Sequence, residues 1–397
     1  MSIRRSLPIA ALGAAGLTLA GPILRRGVGT WLAARTERRL CPIVDPGPYV
    51  VPPAAAALHA RLTVVDLHGD ALLFGRDLLA RGTHGHLDIP RMVEGNAAIQ
   101  VFAVATKVPR HLNIERNDDR TDDITLVALG LGWPRATWRS RLARAEHQAA
   151  RLATFSAESG GGLSLVRSGA DLDVFLSRRS ADPTLVAGLL AIEGAHALDD
   201  DIANLERLDA AGYRMVGLAH FFDNAFAGSA HGLVKGGLTA AGRKLVGELE
   251  RRRMIIDVAH ASTATIDDVL AMATRPVVAS HTGVRAVADN QRNLSDDQLR
   301  GIAATGGMIG IGFWPTASGG DDAASIARSI AHAVSVVGAG HVGLGSDFDG
   351  AVQTPFDVSG LGLLTAALLD EGLDEPTIAA VMGGCAVRLL REALPTG

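Results

Sequence analysis

The chain is poor in cysteine and carries no excess of positive charge. Its 397 residues include two cysteines, Cys41 and Cys385, one near each end. They form neither a metal-ligand spacing nor a disulfide framework, so a thiolate metal site and a disulfide-stapled fold are both set aside, and nothing about redox compartment follows. Lysine and arginine together number 38 against 42 acidic residues, a formal charge of -4, and no basic stripe alternates with aromatics. Nucleic acid is therefore set aside as a partner. Internal repeats are also absent, and only the Ala/Gly-rich N-terminal segment has a biased composition.

What is present is apolar bulk: 48% of the side chains are hydrophobic and 20% are charged. Such a chain buries a large core and is too apolar to be disordered. Its length suits one large domain or two smaller ones, because α/β barrels exceed 200 residues as single units.

Ser6 to Leu24 carries no charge and is bracketed by Arg4-Arg5 and Arg25-Arg26. As a helix, these residues would cover about 28 Å, close to the hydrocarbon thickness of a bilayer. The expectation is an uncleaved N-terminal anchor helix, with a cleaved signal peptide as the competing reading. Arginines 25, 26, 35, 38 and 39 would hold the downstream part in the cytoplasm by the positive-inside rule, whereas the signal-like start argues for export. We take the expectation as a single span at the cell membrane, with the catalytic domain outside the cytoplasm. Five prolines between Pro42 and Pro53 exclude helix and read as a spacer. The predicted organisation is a signal or anchor segment at 1–40, a linker at 41–53 and a catalytic domain at 54–397.

Eight short apolar runs follow: Leu62 to Asp66, Ile99 to Ala105, Val186 to Ile192, Met215 to Ala219, Met254 to Ala259, Pro276 to Ser280, Met308 to Phe313 and Val342 to Ser346. Their near-continuous hydrophobicity fits strands buried on both faces. Helix-like stretches separate them, among them Thr239 to Arg253, Thr263 to Ala273, Asp296 to Ala304 and Ala323 to Val337, several opened by a Ser, Thr or Asp cap. Strands alternating with helices spell a parallel sheet, and eight of them predict a (β/α)8 barrel of the TIM type, with a doubly wound open sheet as the alternative. Residues 106–184 read as an insertion on that barrel.

In a barrel, reactive residues collect where the strands end. Here the first run ends in His68-Gly69-Asp70, the third in Glu193, the fourth in His220, the fifth in His260, the sixth in His281 and the eighth in Asp347. Histidines that served only packing would have no reason to choose the same end of successive strands. His68 and Asp70, two apart on a strand, point to one side and can grip one ion. Glu193 has two oxygens with which to bridge a pair of cations. Imidazole and carboxylate without thiolate suit zinc and also admit manganese, cobalt or iron. Asp347 can take the proton of a metal-activated water; its rival Asp349 is assigned to the turn that Gly350 marks. His332, in a helix, and His341, at the wrong end of the last strand, read as structural, while His196 and His231 lie in mouth loops.

With these residues in hand, the chain resembles the membrane (renal-type) dipeptidase family of the amidohydrolase superfamily. The resemblance runs from about His59 to Leu394. It is carried by VVDLHGD, GHLDIPRMVEGNAAIQVF, IEGAHAL, GLAHFFDNAF, GLTAAGRKLVGELERRRMIIDVAH, PVVASHTGVRAVADNQRNLSD and HVGLGSDFDG. It implies two zinc ions, one on His68 and Asp70 and the other on His260 and His281, with Glu193 bridging. It further implies that a bridging hydroxide attacks the scissile bond of a small dipeptide, that His220 donates to the oxyanion and that Asp347 shuttles protons. Arg292 would clamp the substrate carboxylate. The family usually carries Asn at the positions of Gly69 and Cys385; neither is a ligand, so the departures are expected to touch packing or substrate fit. Two alternatives remain: hydrolysis of another small amide, such as an N-formyl amino acid or a lactam, and a non-catalytic tethered binding protein. A membrane partner and a homodimer complete the expectations.

Overall fold

A computed structural model describes residues 22–397. Among them are nine strands: β1 Val64–Gly69, β2 Ala97–Ala105, β3 Leu163–Leu165, β4 Val186–Glu193, β5 Tyr213–Gly217, β6 Ile255–Asp257, β7 Val277–Thr282, β8 Met308–Ile311 and β9 Val342–Leu344. All pair in parallel, in the order β2-β1-β9-β8-β7-β6-β5-β4-β3, and a further pairing of β2 with β4 closes the ring. Eight strands thus form the expected barrel. Every residue of β1, β2 and β4 is buried, which is why these strands read as unbroken apolar runs.

β3 is the ninth strand, and the apolar pattern did not disclose it. It pairs with Val186 to Gly188 at the start of β4, while β5 pairs with Leu190 to Ile192 further along. Because β2 pairs with these same residues of β4, β3 and β5 share its other edge. β3 belongs to the insertion at 106–184, together with helices Asp123–Gly130, Arg141–Glu158 and Gly169–Ala181.

The helices between strands start where side-chain caps satisfy their free N–H groups. Thr239 caps Ala240–Arg251, Ser262 caps Thr263–Met272 and Asp322 caps Ala323–Val337, while Ser295 and Gln298 form a capping box for Asp296–Ala304. A buried cluster that includes Val65, Leu67, Val101, Leu189, Met215, Val278 and Met308 is continuous with Leu389 and Leu390 of the C-terminal helix Cys385–Ala393. The chain leading into that helix passes so close to β1 that a Cβ on Gly383 would lie 2.0 Å from the Thr63 carbonyl oxygen.

The expected anchor helix is corrected. Residues 6–21 of the proposed span lie outside the described residues, and among the described residues no helix is long and apolar enough to cross a membrane. The helix Pro22–Leu40 ends in Arg35, Glu37, Arg38 and Arg39, charges that a bilayer core would not accept, and its Glu37 is buried against protein. The membrane partner, the membrane location and the extracytoplasmic placement lose their basis with it. Nothing among the described residues supports a homodimer, and that expectation is dropped as well.

Candidate metal centre

The C-terminal ends of the strands bring the expected residues to one rim. His68 lies on β1 with Asp70 one residue beyond it, Glu193 ends β4, and His281 lies on β7. His220, His260 and Asp347 follow β5, β6 and β9 by three residues each. All seven are buried. His260 and Asp347 have φ of 61°, the left-handed region that costs a non-glycine residue roughly 1–3 kcal/mol and is held only where the surroundings insist on it.

The donor atoms converge. His68 Nε2 is 3.3 Å from Asp70 Oδ2 and 3.5 Å from Glu193 Oε1. The same Glu193 oxygen is 3.1 Å from His260 Nε2 and 3.5 Å from His281 Nε2. Ligands about 2.0–2.1 Å from a shared tetrahedral ion stand roughly 3.3–3.4 Å apart, so these separations fit coordination. Two metal-competent groups, His68–Asp70–Glu193 and Glu193–His220–His260, share Glu193. A third grouping contains Asp257, but both its oxygens are engaged: Oδ1 accepts from the backbone N–H groups of Ala259 and Ser280, and Oδ2 from the Ser280 hydroxyl.

The outer hydrogen bonds decide which way the imidazole lone pairs face. The Ile114 carbonyl can only accept, so His231 Nδ1 donates to it at 2.6 Å and His231 Nε2 is left to accept from His260 Nδ1 at 3.0 Å. Ser280 Oγ donates to Asp257 Oδ2 at 2.6 Å, and so accepts from His281 Nδ1 at 2.9 Å and from His68 Nδ1 at 3.3 Å. All three Nε2 atoms therefore face the centre, and those of His260 and His281 do so as bare lone pairs 2.9 Å apart. Burial pushes both of these imidazoles well below the usual histidine range, so a proton does not separate them. A cation satisfies this arrangement, and ligating histidines are commonly fixed by such outer partners.

The electrostatics agree. Burial, reinforced by Asp70, pushes the Glu193 carboxyl well above the carboxylate range, and burial likewise raises Asp347 against the pull of His68. Burial alone would lower His68, yet Glu193, Asp70 and Asp347 outweigh it and hold the imidazole at about 10. The donor set asks for positive charge.

Around the centre lies a cavity of about 250 Å³, lined by Asp70, Glu193, His220, His231, His260, Arg292, Trp314 and Asp347 and by an apolar wall that includes Leu73, Phe74, Ile124 and Val127. His220 Nε2 is 3.3 Å from Glu193 Oε2. Burial, with His196 and His231 nearby, keeps its imidazole neutral. Arg292 is buried, donates to the His281 carbonyl at 2.6 Å and lies over the Trp314 ring; among the described residues no carboxylate pairs with it. Asp347 Oδ1 is 4.0 Å from His68 Nε2. Its rival Asp349 also borders the cavity, but its carboxylate is engaged, ion-paired with Arg76 and accepting from the His86 backbone N–H at 2.6 Å. Gly350 leaves room for the reactive carboxylates, since a Cβ there would sit 1.8 Å from Asp347 Oδ1 and 2.9 Å from Asp70 Oδ2.

Of the other histidines, His332 pairs with Asp296 at 2.9 Å and His341 donates to the Gly307 carbonyl at 2.8 Å. His196 packs on Phe222, its ring parallel to that of His220. At the departure Gly69, a Cβ would meet Gln100 Nε2 at 3.0 Å and Leu87 and Phe348 at 3.3 Å, so the neighbours have closed around the glycine. Cys385 is buried in the C-terminal cluster.

A parallel eight-stranded barrel whose rim gathers two carboxylate-bridged donor sets defines a hydrolase that works through a pair of divalent metal ions. The sequence model of the membrane dipeptidase family, peptidase family M19, matches residues 53–396, and the chain belongs to that family of metallo-dipeptidases. A Klebsiella pneumoniae protein known as the uncharacterized protein in the pqqA 5′ region is 33% identical over 260 residues, 62% of this chain and 94% of that one. A solved structure described as the dipeptidase AC, a metallopeptidase of family M19, is 28% identical with a TM-score of 0.68, over 84% of this chain and 98% of the other. A metallopeptidase from Rhodobacter sphaeroides, solved with a phosphinate mimic of the dipeptide L-Ala-D-Ala, is 28% identical with a TM-score of 0.66, over 84% of this chain and 99% of the other.

Proposed function

We propose that the protein hydrolyses dipeptides at a dizinc centre in which His68 and Asp70 hold one ion, His260 and His281 hold the other, and Glu193 bridges them. The observation that carries this reading is the convergence of three imidazole Nε2 atoms, from His68, His260 and His281, within 3.5 Å of one Glu193 oxygen. Zinc is favoured by a donor set of imidazoles and carboxylates. When bound, the ions polarise the scissile carbonyl and make water acidic enough to attack near neutral pH.

The remaining steps belong to the protein. Asp347, whose carboxyl burial disposes to hold a proton, takes one from the attacking water and delivers it to the leaving amine. His220, neutral in its pocket, donates to the carbonyl oxygen as negative charge gathers there. Arg292, charged and without a protein carboxylate, receives the C-terminal carboxylate of the substrate. That clamp, inside a cavity of about 250 Å³, limits the substrate to short peptides. The catalytic domain spans 54–397, preceded by the proline-rich stretch 41–53. The relative solved with a dipeptide mimic supports the substrate class.

The test is metal analysis of the purified protein followed by assay on dipeptides, N-formyl amino acids and lactams. Two equivalents of zinc and turnover confined to dipeptides are expected. Protein that stays active after exhaustive chelation, or that turns over only the other amides, would overturn the assignment.

A further inference from the structure

The family match begins at residue 53, yet the catalytic cavity has walls that come from before it. Thr36 and Leu40, on the last turns of the helix Pro22–Leu40, line the same cavity as Asp70, Glu193 and Asp347. The helix is pinned at two places. Near its start, Gly29 comes so close to the chain that a Cβ there would lie 1.8 Å from the Gly130 carbonyl oxygen. Near its end, Glu37 is 1% exposed and its carboxylate accepts from Arg76 Nε at 2.5 Å, with His84 Nε2 at 3.1 Å. Arg76 in turn pairs with Asp349, two residues beyond Asp347, so the helix is joined by buried charge to the loop that carries the reacting aspartate.

The part of the cavity that the helix covers is apolar. Leu73 and Phe74, from the loop after β1, face it together with Ile124 and Val127. That loop is held by Arg151, which donates to the carbonyls of Leu72, Phe74 and Arg76. Leu73 N–H donates to the Asp70 carbonyl at 3.1 Å, so this wall adjoins the Asp70 and Asp347 end of the centre. Arg292 sits at the other end, against His281 and Trp314.

Resting on the dipeptidase reading above, we infer that the helix Pro22–Leu40 forms the outer wall of an apolar subsite for the side chain of the substrate's N-terminal residue. With the C-terminal carboxylate on Arg292, the amino end points toward Asp70 and Asp347, and its side chain meets Leu73, Phe74, Leu40 and Thr36. The subsite takes leucine-sized apolar side chains and rejects charged ones, which would lose their hydration against these surfaces without a partner. The wall also stops extension beyond the N-terminal residue.

The experiment compares kcat/KM for Leu-Gly, Gly-Gly and Glu-Gly in the full-length zinc-loaded wild type, Leu40→Trp and Thr36→Trp, with circular dichroism and metal content as checks on folding. Wild type is expected to favour Leu-Gly over Gly-Gly by about tenfold or more, the range that one apolar side chain commands in a fitted pocket. Either substitution fills the subsite and is expected to reduce that preference by about tenfold. A wild type active on dipeptides whose Leu-Gly to Gly-Gly ratio is unmoved by both substitutions overturns this inference alone. A wild type inactive on every dipeptide overturns the proposed function, and this subsite with it.

Discussion

The two halves of the metal centre are built differently. On one side His260 and His281 are neutral, and their orientation is fixed by hydrogen bonds running outward, through His231 to a backbone carbonyl and through Ser280 to Asp257. On the other side His68 reaches the same Ser280 only at 3.3 Å and stands among Asp70, Glu193 and Asp347, whose charge dominates its surroundings. The imidazole half is thus preorganised by geometry and the carboxylate half by electrostatics, with Glu193 common to both. Two ions in such unlike surroundings should respond to different perturbations.

The largest effect should come from the residue the halves share. Glu193→Gln removes the bridging charge and is expected to lower activity by on the order of 10⁴-fold or more, because water is no longer made acidic between the ions. Titration with zinc should show both ions weakened; two ions retained at wild-type affinity would mean that the halves do not share a ligand. Next, Arg292→Met should raise KM for dipeptides roughly 10²-fold with little change in kcat, the loss of a charged hydrogen-bonded contact. A drop in kcat at constant KM would instead tie Arg292 to the imidazole half, whose His281 carbonyl it touches. His231→Leu discriminates the halves directly. Loss of the outer partner of His260 should weaken one ion by about 10–100-fold and leave the other in place, as chelator competition can read. Equal weakening of both would erase the distinction.

The smallest effect is on stability in acid. Burial, with Arg141, Lys107 and Arg144 adding to it, holds His196 at about 3, against 6.5 for the free side chain. The folded value lies below the unfolded one, so the unfolded chain binds the proton first, and the stability from this group is complete above pH 6.5 and drains away as the pH falls toward 3. Between pH 6.5 and 5 the loss is about 2 kcal/mol for one such histidine. Urea unfolding of His196→Gln should show a shallower decline over that window than wild type; parallel declines would place the acid sensitivity elsewhere.

Much of the barrel was legible because strands buried on both faces leave uninterrupted apolar runs, as at Ile99 to Ala105, and because the ligands follow those runs directly. β3 was not, since Leu163–Leu165 is too short to carry a pattern and exists only because β4 has an open edge. Asp257 and Ser280 also escaped notice, and His231 was placed in a mouth loop without its role as the outer partner of His260. Their roles depend on which strands lie side by side and in what register, and only the buried polar residues Asp257 and Ser280 inside apolar runs hinted at them. The N-terminal helix was misread for a similar reason. The uncharged stretch Ser6 to Leu24 that precedes and overlaps its start suggested lipid, but the partner of Glu37 is Arg76, thirty-nine residues away, and no local pattern announces such a pair.

The closure of the barrel floor bears on how the chain is made. β1 finds one neighbour in β9, and its base packs against the segment around Gly383 and the helix that follows. As the polypeptide emerges from the ribosome, its first strand pairs early with β2, but its other edge must wait for some three hundred residues before β9 and the C-terminal helix appear. Contacts so distant in sequence slow folding and leave apolar edges open in the interval. The nascent protein should therefore be a substrate for chaperones, with truncations inside Cys385–Ala393 driving it toward aggregation.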